Sequence, residues 1–221
     1  MRLFISAVCK FILGVILVGG LLFVPAGSLA FWRGWLFMGV LFAPMFIAGI
    51  VMAIKSPALL KKRLQGKEKR GKQGLIVKLS GLMFAVGFVL AGLNFRFGWY
   101  TLPTAVSIVG AVLFLFAYAL YGEVLRENSY LTRTIEVSEG QKVVDTGLYA
   151  IVRHPMYAVT LLLFLSMPLI LGSMYSLFVF LVYPFLIVGR IKDEEKLLEA
   201  ELEGYTEYKN KVKYRLIPFI W

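Results

Sequence analysis

Apolar runs long enough to cross a bilayer constrain this chain more than any other feature of its sequence. A hydrocarbon core takes about 20 apolar residues per helix. Runs of that kind recur at 3–24, 35–54, 75–93 and 102–121. A fifth apolar block, 157–191, is too long for one span, and Gly172-Ser173 interrupts it near its middle. Such a pair is a turn signal, so the block reads as two short helices in a hairpin. The expectation is an all-α integral membrane fold with about six transmembrane helices. Composition agrees: 59% of residues are hydrophobic and 17% charged, against about 25% charged in an ordinary soluble domain.

Charge sets the expected orientation. Basic residues collect at Arg2, Lys10, 55–78, 126–153 and 190–215, and only Arg33 and Arg96 fall in the opposite loops. By the positive-inside rule both termini face the cytoplasm. All thirteen acidic residues fall on that same side, so the polar chemistry belongs to the cytoplasmic face. The net charge of +11 does not call for nucleic acid. Lys61-Lys62-Arg63 and the basic residues of 67–72 stand between two spans, where they set topology and meet anionic lipid. The first apolar run resembles a signal peptide with a cleavage site at Ser28-Leu29-Ala30. It is long for that role and reads as a retained helix.

Two regions result: a four-helix transmembrane region over 1–125, and a more polar region over 126–221, with the hairpin and a cytoplasmic C-terminal helix, in which the candidate catalytic residues discussed below fall. The connection 55–74 is basic and glycine-containing, the signature of a mobile link. The β-prone pieces 134–137 and 142–144 flank Glu139-Gly140, a turn signal, and fit either a small hairpin or an irregular loop. Pro155 suits the first turn of a helix, which puts Arg153 and His154 at a helix start near the membrane surface. The last span continues as a polar helix through 193–203, with Gly204 as its stop. Tyr205, Tyr208 and Val212 are spaced i, i+3, i+7, a further amphipathic turn. The tail 214–221 reads as packing back on the membrane face.

Several chemistries are excluded. With Cys9 the single cysteine and His154 the single histidine, neither a disulfide framework nor a Cys–His zinc site can form within one chain. No Gly-x-Gly-x-x-Gly follows a strand, and there is no P-loop.

Two constellations remain. The first is Arg153-His154-Pro155-Met156-Tyr157, preceded by Gly147 and Tyr149. A helix start can bind an anion, Arg153 and His154 add donors, and the two tyrosines add flat faces. The ordinary alternative has Arg153 snorkelling to headgroups, His154 capping a turn and the tyrosines anchoring the interface. The second constellation is Arg190 with Glu194, four apart on one helix face. As an ion pair alone this stabilises a helix by only about 0.2–0.5 kcal/mol. As a site, Arg190 holds a carboxylate through paired donors while Glu194 accepts from an ammonium or hydroxyl. Glu195 points elsewhere on the helix, into solvent.

In order and spacing these segments resemble the isoprenylcysteine carboxyl methyltransferase family. The matching text is Gly147-x-Tyr149-x-x-Val152-Arg-His-Pro-x-Tyr157, then Arg190-x-x-x-Glu194-Glu195-x-Leu197, Gly204-Tyr205-x-x-Tyr208, Val212 and Arg215-Leu-Ile-Pro218. It covers roughly the last hundred residues. Val159 departs from the glycine often found there, which bears on local helix packing. The resemblance implies S-adenosylmethionine as cofactor, bound without a Rossmann fold. Gln141, Lys142, Val143, Val144, Tyr149, His154, Pro155, Met156, Tyr157 and Glu194 match positions that line its pocket. Arg190 matches the position that holds the acceptor, and Arg190 and Glu194 are the catalytic candidates.

The implied activity is a membrane methyltransferase acting on a lipid-like acceptor such as the carboxylate of a prenylated cysteine. Its site would face the cytoplasm from the inner membrane of a bacterium or the endoplasmic reticulum of a eukaryote. Partners would be that acceptor and membrane lipid, with no nucleic acid. Two alternatives stay open. One is phospholipid N-methylation, in which Glu194 or Glu195 would act as base. The other is an NADPH-dependent sterol or enone reductase, because Arg-His-Pro-x-Tyr occurs in membrane sterol reductases too.

Overall fold

The computed structural model describes residues 2–65, 71–131 and 137–221. In chain order it contains α1 (Arg2–Ala26), α2 (Trp32–Lys55), α3 (Pro57–Gln65), α4 (Gly71–Phe97) and α5 (Thr104–Glu127). There follow a 3₁₀ turn (Gly147–Ala150), α6 (Pro155–Leu171), α7 (Met174–Phe180), α8 (Tyr183–Glu201) and α9 (Tyr205–Lys211). No strand occurs among the described residues; Thr101 and Ser173 share an isolated bridge. Among the described residues, five segments are long and apolar enough to cross a membrane: Leu3–Ala26, Trp32–Lys55, Gln73–Phe97, Thr104–Glu127 and Met174–Glu201. Side chains such as Leu13, Ile16, Ile47 and Val112 stand more than half exposed along these helices. Water would not tolerate such a surface, and lipid does. The protein is a multi-pass membrane protein.

Small residues bring the spans together, as in helix pairs that lack a hydrophobic driving force between them. A Cβ at Gly92 of α4 would lie 2.4 Å from the Leu22 carbonyl of α1, and one at Gly110 of α5 would lie 2.9 Å from Leu169 of α6. An aromatic layer fills the centre: Phe37, Phe114 and Phe180 are buried, and Phe88 touches both Phe37 and Phe180.

The hairpin break at Gly172-Ser173 is where the sequence placed it. Gly172 takes the left-handed conformation at φ 67°, its N–H donating to Leu169 and Pro168 carbonyls, while Ser173 caps α7 by accepting from Ser176 N–H. A glycine stop and a serine start adjoin. The second arm has an unforeseen second break, at Leu181-Val182, so α7 and α8 are separate helices.

The hairpin tip meets the α4–α5 loop, where Leu102 N–H donates to Gly172 O at 2.9 Å. Arg33 lies there too. It belongs to the first turn of α2 rather than to a loop, is 7% exposed, and donates to Leu102 O at 2.7 Å. Arg96 likewise lies in the last turn of α4.

At the opposite, polar end the connection 55–74 departs from the expected mobile link. Pro57–Gln65 is helical, with Leu60 buried and Lys10 Nζ donating to the Leu64 carbonyl at 2.6 Å. The basic residues 67–70 lie outside the described residues. So do 134–136 of the first β-prone piece. The second, 142–144, is irregular, and Glu139-Gly140 forms the expected turn.

α6 has 17 residues and α5, against which it packs most extensively, has 24. At 1.5 Å per residue α6 is about 10 Å the shorter. Its tip is tied to the loop before α5, so it stops short of the polar end. The site opens there and runs alongside the first turns of α6.

Candidate active site

The polar wall begins after α5. Thr146 donates to Glu127, and the 3₁₀ turn then buries Tyr149. From there the chain descends to Arg153 and His154 and starts α6 at Pro155. The Arg153 and His154 backbone N–H groups donate to the carbonyls of Tyr214 and Arg215, both at 2.9 Å. Arg153 NH1 donates to the carbonyls of Val212 and Lys213. The tail thus folds over the start of α6, and its last carbonyl, Trp221 O, accepts from the N–H groups of Arg215, Leu216 and Ile217.

One buried carboxylate fastens this arrangement. Glu195 of α8 is 4% exposed. Its Oε1 lies 2.8 Å from both Nε and NH2 of Arg153 and 3.3 Å from His154 Nε2, and its Oε2 accepts from Arg215 Nε at 2.8 Å. Two expectations are corrected here. Glu195 is not solvated, because α8 turns it toward the tail. Arg153 neither snorkels to headgroups nor joins an anion cradle with His154: both side chains face Glu195, and both N–H groups are taken by the tail. His154 occupies the N-cap position of α6 without a side-chain cap bond.

The second constellation lies on the same chamber and meets a different partner. Arg190 and Glu194, one turn apart on α8, meet Tyr157 from the first turn of α6. Arg190 Nε donates to the Tyr157 hydroxyl at 2.9 Å, and that hydroxyl donates to Glu194. The pair is more than an i,i+4 contact, for a phenol from another helix stands between the two charges. Deeper along α6, Tyr183 donates to Thr160 at 3.1 Å, and Phe164 stacks edgewise on Phe84 at 4.7 Å.

These residues line one chamber of about 510 Å³. Gln141, Lys142, Val143, Val144, Tyr149, His154, Met156, Tyr157, Arg190 and Glu194 all border it. Pro155 does not; it is buried at the start of α6. Val159, the departure from the family pattern, is buried in the core.

The sequence left other wall residues unassigned. Asn128, Tyr130, Tyr205 and Tyr208 complete the polar part, and Phe84, Phe164, Tyr183 and Ile187 form an apolar arm. Tyr121, six residues before the end of α5, also lines it, so the chamber runs alongside the last turns of that helix. Val77 and Gly81 of α4 border the arm and are themselves exposed. Tyr205 and Tyr208 carried an amphipathic signal only, and nothing in the α4 sequence distinguishes its wall residues from other apolar positions. Burial pushes the phenols of Tyr149, Tyr205 and Tyr208 above their ordinary value. The arrangement joins a polar compartment to an apolar one, with a cation, a phenol and a carboxylate at the junction.

Residues 104–200 match the isoprenylcysteine carboxyl methyltransferase (ICMT) family, a span containing Tyr149, His154, Tyr157, Arg190 and Glu194. The chain is also similar to a Delta(14)-sterol reductase of Mus musculus, at 32% identity over 91 residues. That match covers 40% of this chain and 22% of the reductase, so the chain spans about a fifth of that relative's length.

Proposed function

We propose, from the match of residues 104–200 to the isoprenylcysteine carboxyl methyltransferase family, that the chain is a membrane enzyme moving a methyl group from S-adenosylmethionine to the carboxylate of a lipid-like acceptor. A prenylated cysteine is the acceptor the family name points to. The observation that carries the reading is the Arg190–Tyr157–Glu194 cluster at the junction of the polar and apolar compartments.

The chamber fits such a cofactor. It offers the Glu194 carboxylate to a cationic ligand, the flat faces of Tyr149 and Tyr157 to an adenine, and on Tyr205 a buried hydroxyl with no hydrogen-bond partner among the described residues. S-adenosylmethionine, when bound, supplies an electrophilic methyl on a sulfonium. The protein's own part is binding, alignment and exclusion of water. Arg190 is anchored through Nε on the Tyr157 hydroxyl, which orients its planar fork toward a carboxylate. The aromatic wall of Phe84, Phe164 and Tyr183 dries the acceptor side. Methyl transfer from a sulfonium to a carboxylate neutralises two opposite charges, which bulk water would keep apart, so a dry site with fixed dipoles favours it. A carboxylate acceptor needs no general base, and alignment is the main demand. An amine acceptor, as in phospholipid N-methylation, would need one. Glu194 could serve; Glu195 could not, because two arginines and a histidine hold it.

The sterol reductase match supports a second reading, an NADPH-dependent reductase with Tyr157 as proton donor. The experiment that separates the two is calorimetric titration of the purified protein with S-adenosylhomocysteine and with NADPH, alongside transfer of labelled methyl to a farnesylated cysteine analogue and to total membrane lipid. Binding of S-adenosylhomocysteine with label in either acceptor supports the methyltransferase. Binding of NADPH alone overturns it.

A further inference from the structure

Tyr205 and Tyr208 sit three residues apart at the two ends of the first turn of α9, and their hydroxyls fare differently. Both side chains are buried and both line the chamber. Tyr208 donates to the Tyr149 carbonyl at 2.7 Å. Tyr205, 3% exposed, has a buried hydroxyl with no hydrogen-bond partner among the described residues. A buried hydroxyl left without a partner costs folding free energy. Phenylalanine would fill nearly the same space without that cost. The group therefore opposes stability on its own, as a group does whose partner arrives with a ligand. Burial and the charge of Glu195 keep the phenol proton in place, so the hydroxyl is available as a donor.

We infer that Tyr205 is a binding residue for the methyl donor, its hydroxyl donating to an acceptor oxygen or nitrogen of the nucleoside cofactor that the chamber takes. The inference rests on the methyl-transfer reading above. It adds a contact from α9, outside the two constellations, and gives α9 a part in the site beyond packing.

The test compares the parent with Tyr205→Phe and Tyr208→Phe, purified in detergent. Melting is followed without ligand, and S-adenosylhomocysteine is titrated by calorimetry. Tyr205→Phe is expected to melt at or above the parent temperature and to bind about tenfold more weakly, equivalent to ~1.4 kcal/mol. Tyr208→Phe, which loses a made hydrogen bond, is expected to melt lower. Parent-like affinity in Tyr205→Phe overturns the inference while leaving methyl transfer intact. A fall in melting temperature matching that of Tyr208→Phe also overturns it, since it would reveal a partner within the protein. Absence of S-adenosylhomocysteine binding in the parent overturns the methyl-donor reading itself.

Discussion

Arg153 and Glu195 form an ion pair with both side chains about 5% exposed, Nε and NH2 converging on one carboxylate oxygen at 2.8 Å. The pair ties the start of α6 to α8, and through Arg215 it ties both to the tail. Removing one member of a buried pair strands its partner and costs about 3–5 kcal/mol. Glu195→Gln is therefore expected to lower the melting temperature in detergent far more than Glu194→Gln. Replacing Arg153 and Glu195 together by apolar residues should cost less than the sum of the two single changes. Equal melting of the two glutamine variants would remove Glu195 from its place in the fold.

Gly172 supports a second stability prediction. It lies at φ 67°, and a Cβ there would fall 2.0 Å from Arg33 NH1. Gly172→Ala meets both a left-handed backbone, worth about 1–2 kcal/mol, and a collision with a buried guanidinium. The expected outcome is a marked loss of stability. Shortening the obstacle as well, in Arg33→Ala/Gly172→Ala, should recover the steric part beyond what independent effects would allow. A double-mutant cycle on melting temperature measures this.

Arg190 separates binding of the acceptor from binding of the cofactor. Arg190→Lys keeps the charge and loses the planar pair of donors. Hydrogen bonds to a charged group are worth about 1.5–3 kcal/mol, or roughly tenfold to a hundredfold in rate. Methyl transfer should fall by that factor while S-adenosylhomocysteine affinity barely moves. Parent-like turnover in the lysine variant would rule out the role given to this residue.

Tyr157 touches both charges, so its loss should be felt on both sides. Tyr157→Phe removes the hydroxyl between Arg190 Nε and Glu194. Affinity for S-adenosylhomocysteine and turnover are both expected to drop, with the protein still folded in detergent. A change in turnover alone would confine Tyr157 to the acceptor.

Orientation can be read by cysteine labelling in intact cells, starting from a Cys9→Ser background. Cysteines placed singly at Ala30, Tyr100 and Tyr175 should react with an impermeant reagent, and those at Glu139 and Thr206 should be protected. Labelling at 139 rather than 100 would invert the orientation assigned to the chain.

Much of this was legible in advance because it follows from local chemistry. Apolar runs located the spans, Gly172-Ser173 located the hairpin turn, and Pro155 located the start of α6. The family resemblance named Gln141 to Val144, Tyr149, His154 to Tyr157, Arg190 and Glu194, and of these all but Pro155 border the chamber. What escaped was tertiary. Glu195 differs from Glu194 by one helical step, and only the returning tail decides that one is buried among arginines. α3 was read as a loop because its charges hid the helix signal of Pro57 at the first turn with Leu60 and Leu64 one turn apart. The hydroxyls of Tyr205 and Tyr208 cannot be told apart from sequence, since their difference is that only Tyr208 meets a carbonyl among the described residues.

The shortness of α6 has a consequence for how this protein tolerates change. The recess beside Tyr121 exists because one rod was given fewer residues than its neighbour, and a residue count is indifferent to which side chains occupy the rod. Point substitutions around the rim can abolish recognition, yet the hollow itself should persist through them. Insertion or deletion within 155–171 would alter its depth, by about 1.5 Å for each residue. Ligand preference in such a fold can drift by single mutations over a container that those mutations cannot reshape.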